Sequence, residues 1–326
     1  MDLQLGNAFK IVMKTTPYIG YRAVVYGAIC GMVAVCLLLL AVIDRIFGGG
    51  AAAVLFVIGL GAGGFGARFL REYILYLLKA GHIALVTEIV QEGKLPDGVS
   101  QTKWAKDHVM RYFKEISVLA LIDQLVKGII AVVNRRLFNV LSILPLPGMD
   151  GLKKVVQRIV DFSLTYIDES ILAYTFKTKN DNVYDAAKTG VVLYCQSWKA
   201  LLKNAVALTI LSYVFVVITT LIALIPIGAV AWMLPEAWAG VKFLLFILAL
   251  FIGVSLKWIF FDPIASTATI LTFLKQAETL TPDADWEARI ESVSGKFREL
   301  KAKAAGKIAG ETPGAEQPAD IEPETQ

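Results

Sequence analysis

The sequence is poor in the residues that bind metals or carry acid–base catalysis. Of its 326 residues only 2 are histidine and 3 are cysteine, and 18% are charged, against roughly 25% in an average soluble protein. Two histidines cannot build a His-rich metal site, and the cysteines follow no zinc or disulfide spacing. Because no Ser-His-Asp, Walker or HExxH pattern occurs either, we expect a protein that is not an enzyme and needs neither a metal nor another cofactor.

Net charge is also low, and apolar residues dominate. A formal charge of +4 does not provide the basic patch of a nucleic-acid-binding protein, so no nucleic-acid partner is expected. Hydrophobic residues make up 56% of the chain, and mean hydropathy is +0.61. Several uninterrupted apolar runs reach the roughly 20 residues that cross a bilayer as a helix. The sequence therefore predicts an all-α integral membrane protein whose first partner is the lipid bilayer.

Four segments are predicted to span the membrane. The first covers 23–43, the second starts near Ala51, the third covers 204–225 and the fourth 241–261. The loops between paired spans are short and nearly free of lysine and arginine, whereas the region 67–203 is rich in both. The positive-inside rule then places this region and both termini in the cytoplasm. We expect a multi-pass protein of the cell inner (plasma) membrane.

Two further apolar segments are predicted not to cross. Residues 116–133 contain Asp123 and Lys127, and each central charge opposes insertion by roughly 2.5–3.5 kcal/mol. If 116–133 and 155–176 both crossed, the basic loop between them would lie outside, against the positive-inside rule. We predict amphipathic or re-entrant helices on the cytoplasmic side.

These segments divide the chain into six predicted regions. They are an interfacial N-terminal helix (1–22), a hairpin of spans 1 and 2 with a cytoplasmic extension (23–95), cytoplasmic or re-entrant amphipathic helices (96–203), spans 3 and 4 (204–262), cytoplasmic helices (263–303) and a disordered acidic tail (304–326). The N-terminal helix is amphipathic, and the tail is rich in Ala, Gly, Pro and Glu.

A stripe of apolar residues lies within 281–301. Its members recur at steps of four and three: Trp286, Ile290, Val293, Phe297 and Leu300. This spacing is typical of one apolar helix face. We therefore expect an amphipathic helix at 281–301 that docks a protein partner.

Small residues mark predicted close contacts between spans. The run GLGAGGFG (59–66) contains G-x-G-x-x-G, but it lies in an apolar helix without the strand that a dinucleotide site requires. Gly27 and Gly31, and likewise Gly59 and Gly63, form small-xxx-small pairs that let helix backbones approach. The contact is either between spans 1 and 2 or between copies in a homo-oligomer.

Polar residues in the apolar segments are candidates for a shared pathway, because such groups are costly unless they face a cavity or one another. The candidates are Asp168, Glu169, Ser212, Tyr213, Thr219 and Asp262. The alternatives are that the acids face cytoplasmic water, that the hydroxyls bond their own helix carbonyls, and that Asp262 caps a helix beginning at Pro263. His82 is expected at the surface.

Four motifs resemble a family of proteobacterial inner-membrane proteins without an assigned function. They are YIDESILAYTF (166–176), VYDAAKTGVVLYCQSWKALLKNA (183–205), AGHIALVTE (80–88) and FDPIA (261–265). The likeness implies a polytopic inner-membrane protein and no particular chemistry.

A weaker likeness is to the C-terminal part of the choline transporter-like family. There, too, an amphipathic stretch with an Ala-Lys pair, here Ala187 and Lys188, precedes two spans and a cytoplasmic helix. That family has many more spans and a large extracellular domain.

Three classes of function remain. The first is a transporter or channel for a small polar or amphiphilic solute, for which the polar pathway is the argument. The second is a non-catalytic membrane scaffold or envelope-assembly factor, favoured by the stripe at 281–301. A membrane-embedded lipid enzyme comes last, because the sequence contains no catalytic motif.

Overall fold

The computed structural model describes residues 3–47, 75–96, 98–113, 124–132 and 166–310, and within these ranges every regular element is a helix. The helices are α1 (Leu5–Lys14), α2 (Thr16–Phe47), α3 (Tyr76–Glu92), α4 (Gln101–Phe113), α5 (124–132), α6 (Ile167–Thr178), α7 (Val183–Met233), α8 (Ala239–Leu256), α9 (Asp262–Ala277), α10 (Ala284–Val293) and α11 (Gly295–Gly310). A 3-10 turn, Glu236–Trp238, precedes α8, and a π-helical turn, Lys257–Phe261, joins α8 to α9. The predicted all-α class is confirmed for these residues.

Three helical segments are long and apolar enough to cross a membrane: Thr16–Leu40, Val183–Met233 and Ala239–Ala277. They correspond to the first, third and fourth predicted spans, and they indicate a membrane protein. The second predicted span, from about Ala51, lies outside the described residues. The total of four spans therefore stays a prediction.

Burial changes along α7. Leu201 and Leu208 are fully buried, whereas Ile210, Leu221 and Ile225 expose 48%, 58% and 73% of their surface. Large apolar side chains that remain exposed over several turns mark a surface that faces something other than water. The first half of α7 thus belongs to a protein core, and the second half to the membrane.

This long helix changes the predicted domain organisation. The predicted boundary between 96–203 and 204–262 falls inside α7, which the Asn182 side chain caps by accepting from Asp185 N at 3.2 Å. No proline follows before Pro226, so nothing in the local sequence ends the helix at the membrane surface. The boundary at 262/263 likewise falls inside the continuous run from α8 into α9.

A helical bundle surrounds the first half of α7. Its largest buried side chains include Phe176, Tyr194, Phe273 and Phe297, which come from α6, α7, α9 and α11. Side chains from α3 and α5 complete the same core. Aromatic residues of this size contribute much of the stability of a protein core, so distant parts of the chain are held together here.

The described parts of the two predicted re-entrant segments belong to this bundle. In 116–133, Ile129 and Ile130 are buried in α5, and in 155–176 the residues Ala173 and Phe176 are buried in α6. Both helices pack against protein along these residues. Re-entry into the membrane stays a prediction, because the rest of both segments lies outside the described residues.

The apolar stripe at 281–301 is not open to a partner, and that prediction is wrong. Ile290, Phe297 and Leu300 are fully buried in the bundle core. The segment forms two helices, because Ser294 leaves the helical conformation (φ −126°, ψ 109°) and its hydroxyl accepts from Phe297 N at 3.3 Å. The stripe finds its partner in the chain itself.

The last helix also runs further than predicted. α11 ends at Gly310 instead of 303, and Ala304 is buried, with its carbonyl accepting from Asn182 Nδ2 at 2.7 Å. The first residues of the predicted tail 304–326 are therefore helical. The remainder of that tail lies outside the described residues.

The predicted interfacial helix corresponds to α1, which packs on α9. Ala8 is buried against Ala265 and Ala268, while Phe9 and Met13 on other faces expose 52% and 55% of their surface. The helix is thus amphipathic as predicted. Its location in the membrane interface stays a prediction.

A close helix contact between two membrane segments involves a glycine that the sequence analysis did not select. A Cβ on Gly253 in α8 would overlap the Thr220 hydroxyl of α7 and lie 3.0 Å from Thr220 N. Around Gly27 and Gly31 no described atom lies within 4 Å of such a Cβ. Gly59 and Gly63 are outside the described residues, so the predicted contact of spans 1 and 2 stays a prediction.

We predict that Gly253→Ala destabilises the protein by about 1–3 kcal/mol, because the added methyl group forces two packed helices apart. Thermal unfolding in detergent, followed by circular dichroism, measures the effect. Gly228→Ala in α7 is the matched control, since no described atom lies within 4 Å of its Cβ position. Equal unfolding temperatures for the two variants would contradict the close-packing argument.

Candidate functional site

The run from α8 into α9 widens where the sequence places a proline. In a π-helical turn each N–H bonds the carbonyl five residues earlier, as Asp262 N does with Lys257 O. Pro263 has no N–H, so the Trp258 carbonyl lacks that partner. It accepts instead from Arg22 Nη2 of α2 at 2.7 Å. A cation on the first span thereby binds the open position in the last one.

Asp262 lies at the end of this wide turn and is not the helix cap that one alternative proposed. Its backbone is helical, with φ −60° and ψ −40°, because the chain continues into α9 without a break. Lys257 Nζ lies 3.0 Å and 3.2 Å from the two carboxylate oxygens. The Tyr166 hydroxyl donates to Oδ1 at 3.0 Å. The carboxylate is therefore held by side chains of two helices.

Asp168 and Glu169 lie in the first turn of α6, and both are buried. Lys79 Nζ of α3 is 2.8 Å from Glu169 Oε1 and 3.6 Å from Asp168 Oδ2. Lys127 Nζ of α5 is 3.4 Å from the same Asp168 oxygen. The alternative that these acids face cytoplasmic water is wrong, because both are buried and each pairs with a lysine of a neighbouring helix.

The two sets of contacts form one continuous group at the packing of α6 against α9. Tyr166 bonds Asp262, and Glu169 bonds Ser266. Tyr166 and Glu169 are three residues apart, and Asp262 and Ser266 four apart, so each pair lies on one helix face. We call this group the charge cluster: Lys79, Tyr166, Asp168, Glu169, Lys257 and Asp262.

Burial raises the pKa of two groups, Glu169 in α6 and Tyr166 directly before it. Burial raises the pKa of the Glu169 carboxyl; the Lys79 ammonium opposes this shift, and the Asp168 carboxylate adds to it. Burial also raises the pKa of the Tyr166 hydroxyl, and the Asp262 charge raises it further. Tyr166 therefore stays a hydrogen-bond donor, and burial favours the protonated form of Glu169 more than water does.

The six predicted pathway residues fall into two sets. Asp168, Glu169 and Asp262 are in the charge cluster, and the buried Ser212 joins it through a hydrogen bond with Tyr166. Tyr213 and Thr219 are not part of it, and their positions are described next. That the first set lines a polar pathway stays a prediction.

Two of the predicted hydroxyls, Tyr213 and Thr219, lie outside the charge cluster. Their positions show that helical spacing alone does not predict which side chains reach it. Tyr213 follows Ser212 directly, so it points about 100° away around the helix and exposes 48% of its surface. Thr219 donates to Phe215 O at 2.8 Å and lies 3.2 Å from Gly253 O. Its hydroxyl is thus satisfied by carbonyls, as the alternative proposed.

Several residues of the site were missed in the sequence. Lys79 and Lys257 have no acid three or four residues away in the sequence. Tyr166 has Glu169 three residues on but was not selected, and Arg22 was counted only as part of a basic head. A usable signal was present at 257–263, where a lysine, an acid and a proline follow an apolar run. A lysine so deep in an apolar segment requires a partner close by.

His82 is buried, so the expectation of a surface position is wrong. It exposes 3% of its surface, and neither ring nitrogen has a hydrogen-bond partner among the described residues. Burial lowers its pKa to about 3, and the Arg22 charge acts in the same direction. The imidazole is therefore neutral in the folded protein.

No protein-family model, curated protein or solved structure matches this chain. The two family likenesses seen in the motifs thus remain expectations. The function has to be argued from the charge cluster itself.

We predict that His82 stays neutral down to about pH 4, because protonation would bury a charge beside Arg22. The chain has 2 histidines, so nuclear magnetic resonance of histidine-labelled protein resolves both, and His82→Gln assigns the signal. Titration of His82 near 6.5, its ordinary value, would contradict the prediction.

The sign of the stability effect follows from the same shift. The unfolded chain binds a proton at His82 below about 6.5 and the folded chain only near 3, so this residue destabilises the fold progressively as the pH falls between these values. The His82→Gln variant should lack that part of the pH dependence.

Proposed function

We propose that this protein is a membrane transporter for a cation or a protonated solute, and that the charge cluster is its binding and switching site. The observation that carries the proposal is the group of buried acids and lysines where the membrane helices enter the bundle. Glu169, Asp168 and Lys257 are each more than nine-tenths buried. We place the protein in the inner membrane with both termini in the cytoplasm, on the strength of its charge distribution.

Energetics support a functional role for this arrangement. Buried ion pairs are rarely a net source of stability, because each charge loses its hydration. Replacing them with apolar residues of similar size would serve a purely structural core as well. Ionisable groups next to membrane segments are therefore functional candidates with named partners, here Lys79 for Glu169 and Lys257 for Asp262.

The chemistry of the site favours a positively charged or protonated ligand. Two lysines, Lys79 and Lys257, already hold the acids, and a ligand cation would replace one of them at a carboxylate. Glu169 has a raised pKa, so it can take up a proton when Lys79 moves away. A proton or ligand cation that replaces the Lys79 ammonium at Glu169 would release Lys79. Because Lys79 lies on α3 and Glu169 on α6, ligand binding would then be coupled to a movement of α3 against α6.

A second candidate is a non-catalytic membrane scaffold. It is favoured by the close contact of Gly253 with Thr220, which packs α7 directly against α8. A transporter needs a path between its helices. A scaffold needs no path at all.

We predict that the purified protein in proteoliposomes carries a cation current driven by a gradient of protons, sodium or tetramethylammonium. Solid-supported membrane electrophysiology measures the current with each cation separately. Glu169→Gln should reduce it by about tenfold or more, since the loss of one carboxylate removes at least about 1.4 kcal/mol of cation stabilisation.

Glu278→Gln is the matched control, because Glu278 is an exposed acid that pairs with Lys177 outside the charge cluster. Its current should equal that of the wild type. An absence of current with all three cations, or equal currents in wild type and Glu169→Gln, would contradict transport through this site and favour the scaffold.

A further inference from the structure

A second polar site lies away from the charge cluster, where α1, α7 and α9 meet. It is a surface pocket of about 470 Å³, lined by Gln4, Lys199, Ala200, Lys203, Asn204, Thr272, Lys275 and Gln276. Asn204 and Thr272 are buried, and Asn204 Nδ2 donates to Thr272 Oγ1 at 3.2 Å. The pocket thus has a fixed polar floor and a basic rim.

The rim carries positive charge that pairs with no described carboxylate. Within the part of the chain that the structure describes, no carboxylate lines the pocket or forms an ion pair with Lys199, Lys203 or Lys275. Many other lysines do have a carboxylate partner: Lys79, Lys127, Lys177, Lys179, Lys188, Lys257 and Lys301. Lys199 and Lys203 are one turn apart on α7, a spacing at which like charges repel. An anion between them would relieve this repulsion.

The position of the pocket indicates where the anion comes from. On α7, Lys203 precedes Ile210, the start of the exposed apolar surface, by about two turns or roughly 10 Å. Gln4 directly precedes α1, whose exposed Phe9 and Met13 form an apolar face beside Lys10. An amphipathic helix of this kind lies at headgroup depth. We place α1 at this depth, which puts the rim lysines next to lipid headgroups.

We propose that this pocket binds the phosphate of an anionic lipid headgroup. The three lysines supply the charge, and the Gln4, Asn204 and Gln276 amides supply neutral hydrogen-bonding groups for the phosphate or glycerol oxygens. Basic pockets beside membrane helices recognise such headgroups by this combination. The site ties α1 to α7 and α9 through a lipid and does not depend on the transport proposal.

The test uses the full chain in nanodiscs that contain equal amounts of phosphatidylglycerol and phosphatidylcholine. Native mass spectrometry of the released protein counts the lipid that stays bound. We expect a preference for phosphatidylglycerol that falls roughly a hundredfold in the triple variant K199Q/K203Q/K275Q, since each lysine near the surface contributes about a factor of five. The triple variant K103Q/K106Q/R111Q removes the same charge from α4 and should keep the preference.

Two further measurements separate the outcomes. All variants should unfold at the wild-type temperature in phosphatidylcholine alone, because the substituted side chains are exposed. In those nanodiscs, millimolar inorganic phosphate should not raise that temperature. Retention of the lipid preference by K199Q/K203Q/K275Q would overturn the site. Saturation by inorganic phosphate, with no added effect of phosphatidylglycerol, would overturn the assignment to a lipid.

Discussion

The ion pairs of Lys79 with Asp168 and Glu169 are the constraint on which the arrangement of the bundle depends. They join α3 to the first turn of α6, and Gln91 Nε2 donates to Lys177 O at 2.9 Å near the other end of the two helices. Removing one partner of such a buried pair typically costs about 3–5 kcal/mol, because the remaining charge is left without a partner. The bundle therefore keeps these groups paired, and the bonds of Tyr166 to Asp262 and of Glu169 to Ser266 connect them to α9.

A second constraint lies in the membrane segment itself. Pro263 cannot donate a backbone hydrogen bond, and the π-helical turn before it leaves the Trp258 carbonyl to Arg22. The wide turn also places Lys257 and Asp262 close enough to pair. π-helical turns are frequently found at functional sites. Here the turn connects the first span, the last span and, through Tyr166, the bundle.

Features that depend on a single helix, such as its length and apolar character, could be predicted from the sequence. Features that depend on how helices pack, such as side-chain partners, could not. Apolar runs identified three membrane helices, and three of the selected polar residues, Asp168, Glu169 and Asp262, lie together in the charge cluster. Their lysine partners were not, because Lys79 comes from a helix about 90 residues earlier and no local pattern encodes that pairing. The stripe at 281–301 was misread for the same reason, since periodicity shows that a face is apolar but not what covers it.

The central claim is that the charge cluster exchanges protons at Glu169. Infrared difference spectroscopy during a pH titration in nanodiscs tests it directly, because a protonated carboxyl group absorbs apart from a carboxylate. The account predicts that a protonated buried carboxyl persists above pH 4.5, the ordinary value for glutamate, and that its band is lost in Glu169→Gln and kept in Glu278→Gln. A Glu169 that ionises at its ordinary value, or a band that survives Glu169→Gln, would contradict the account.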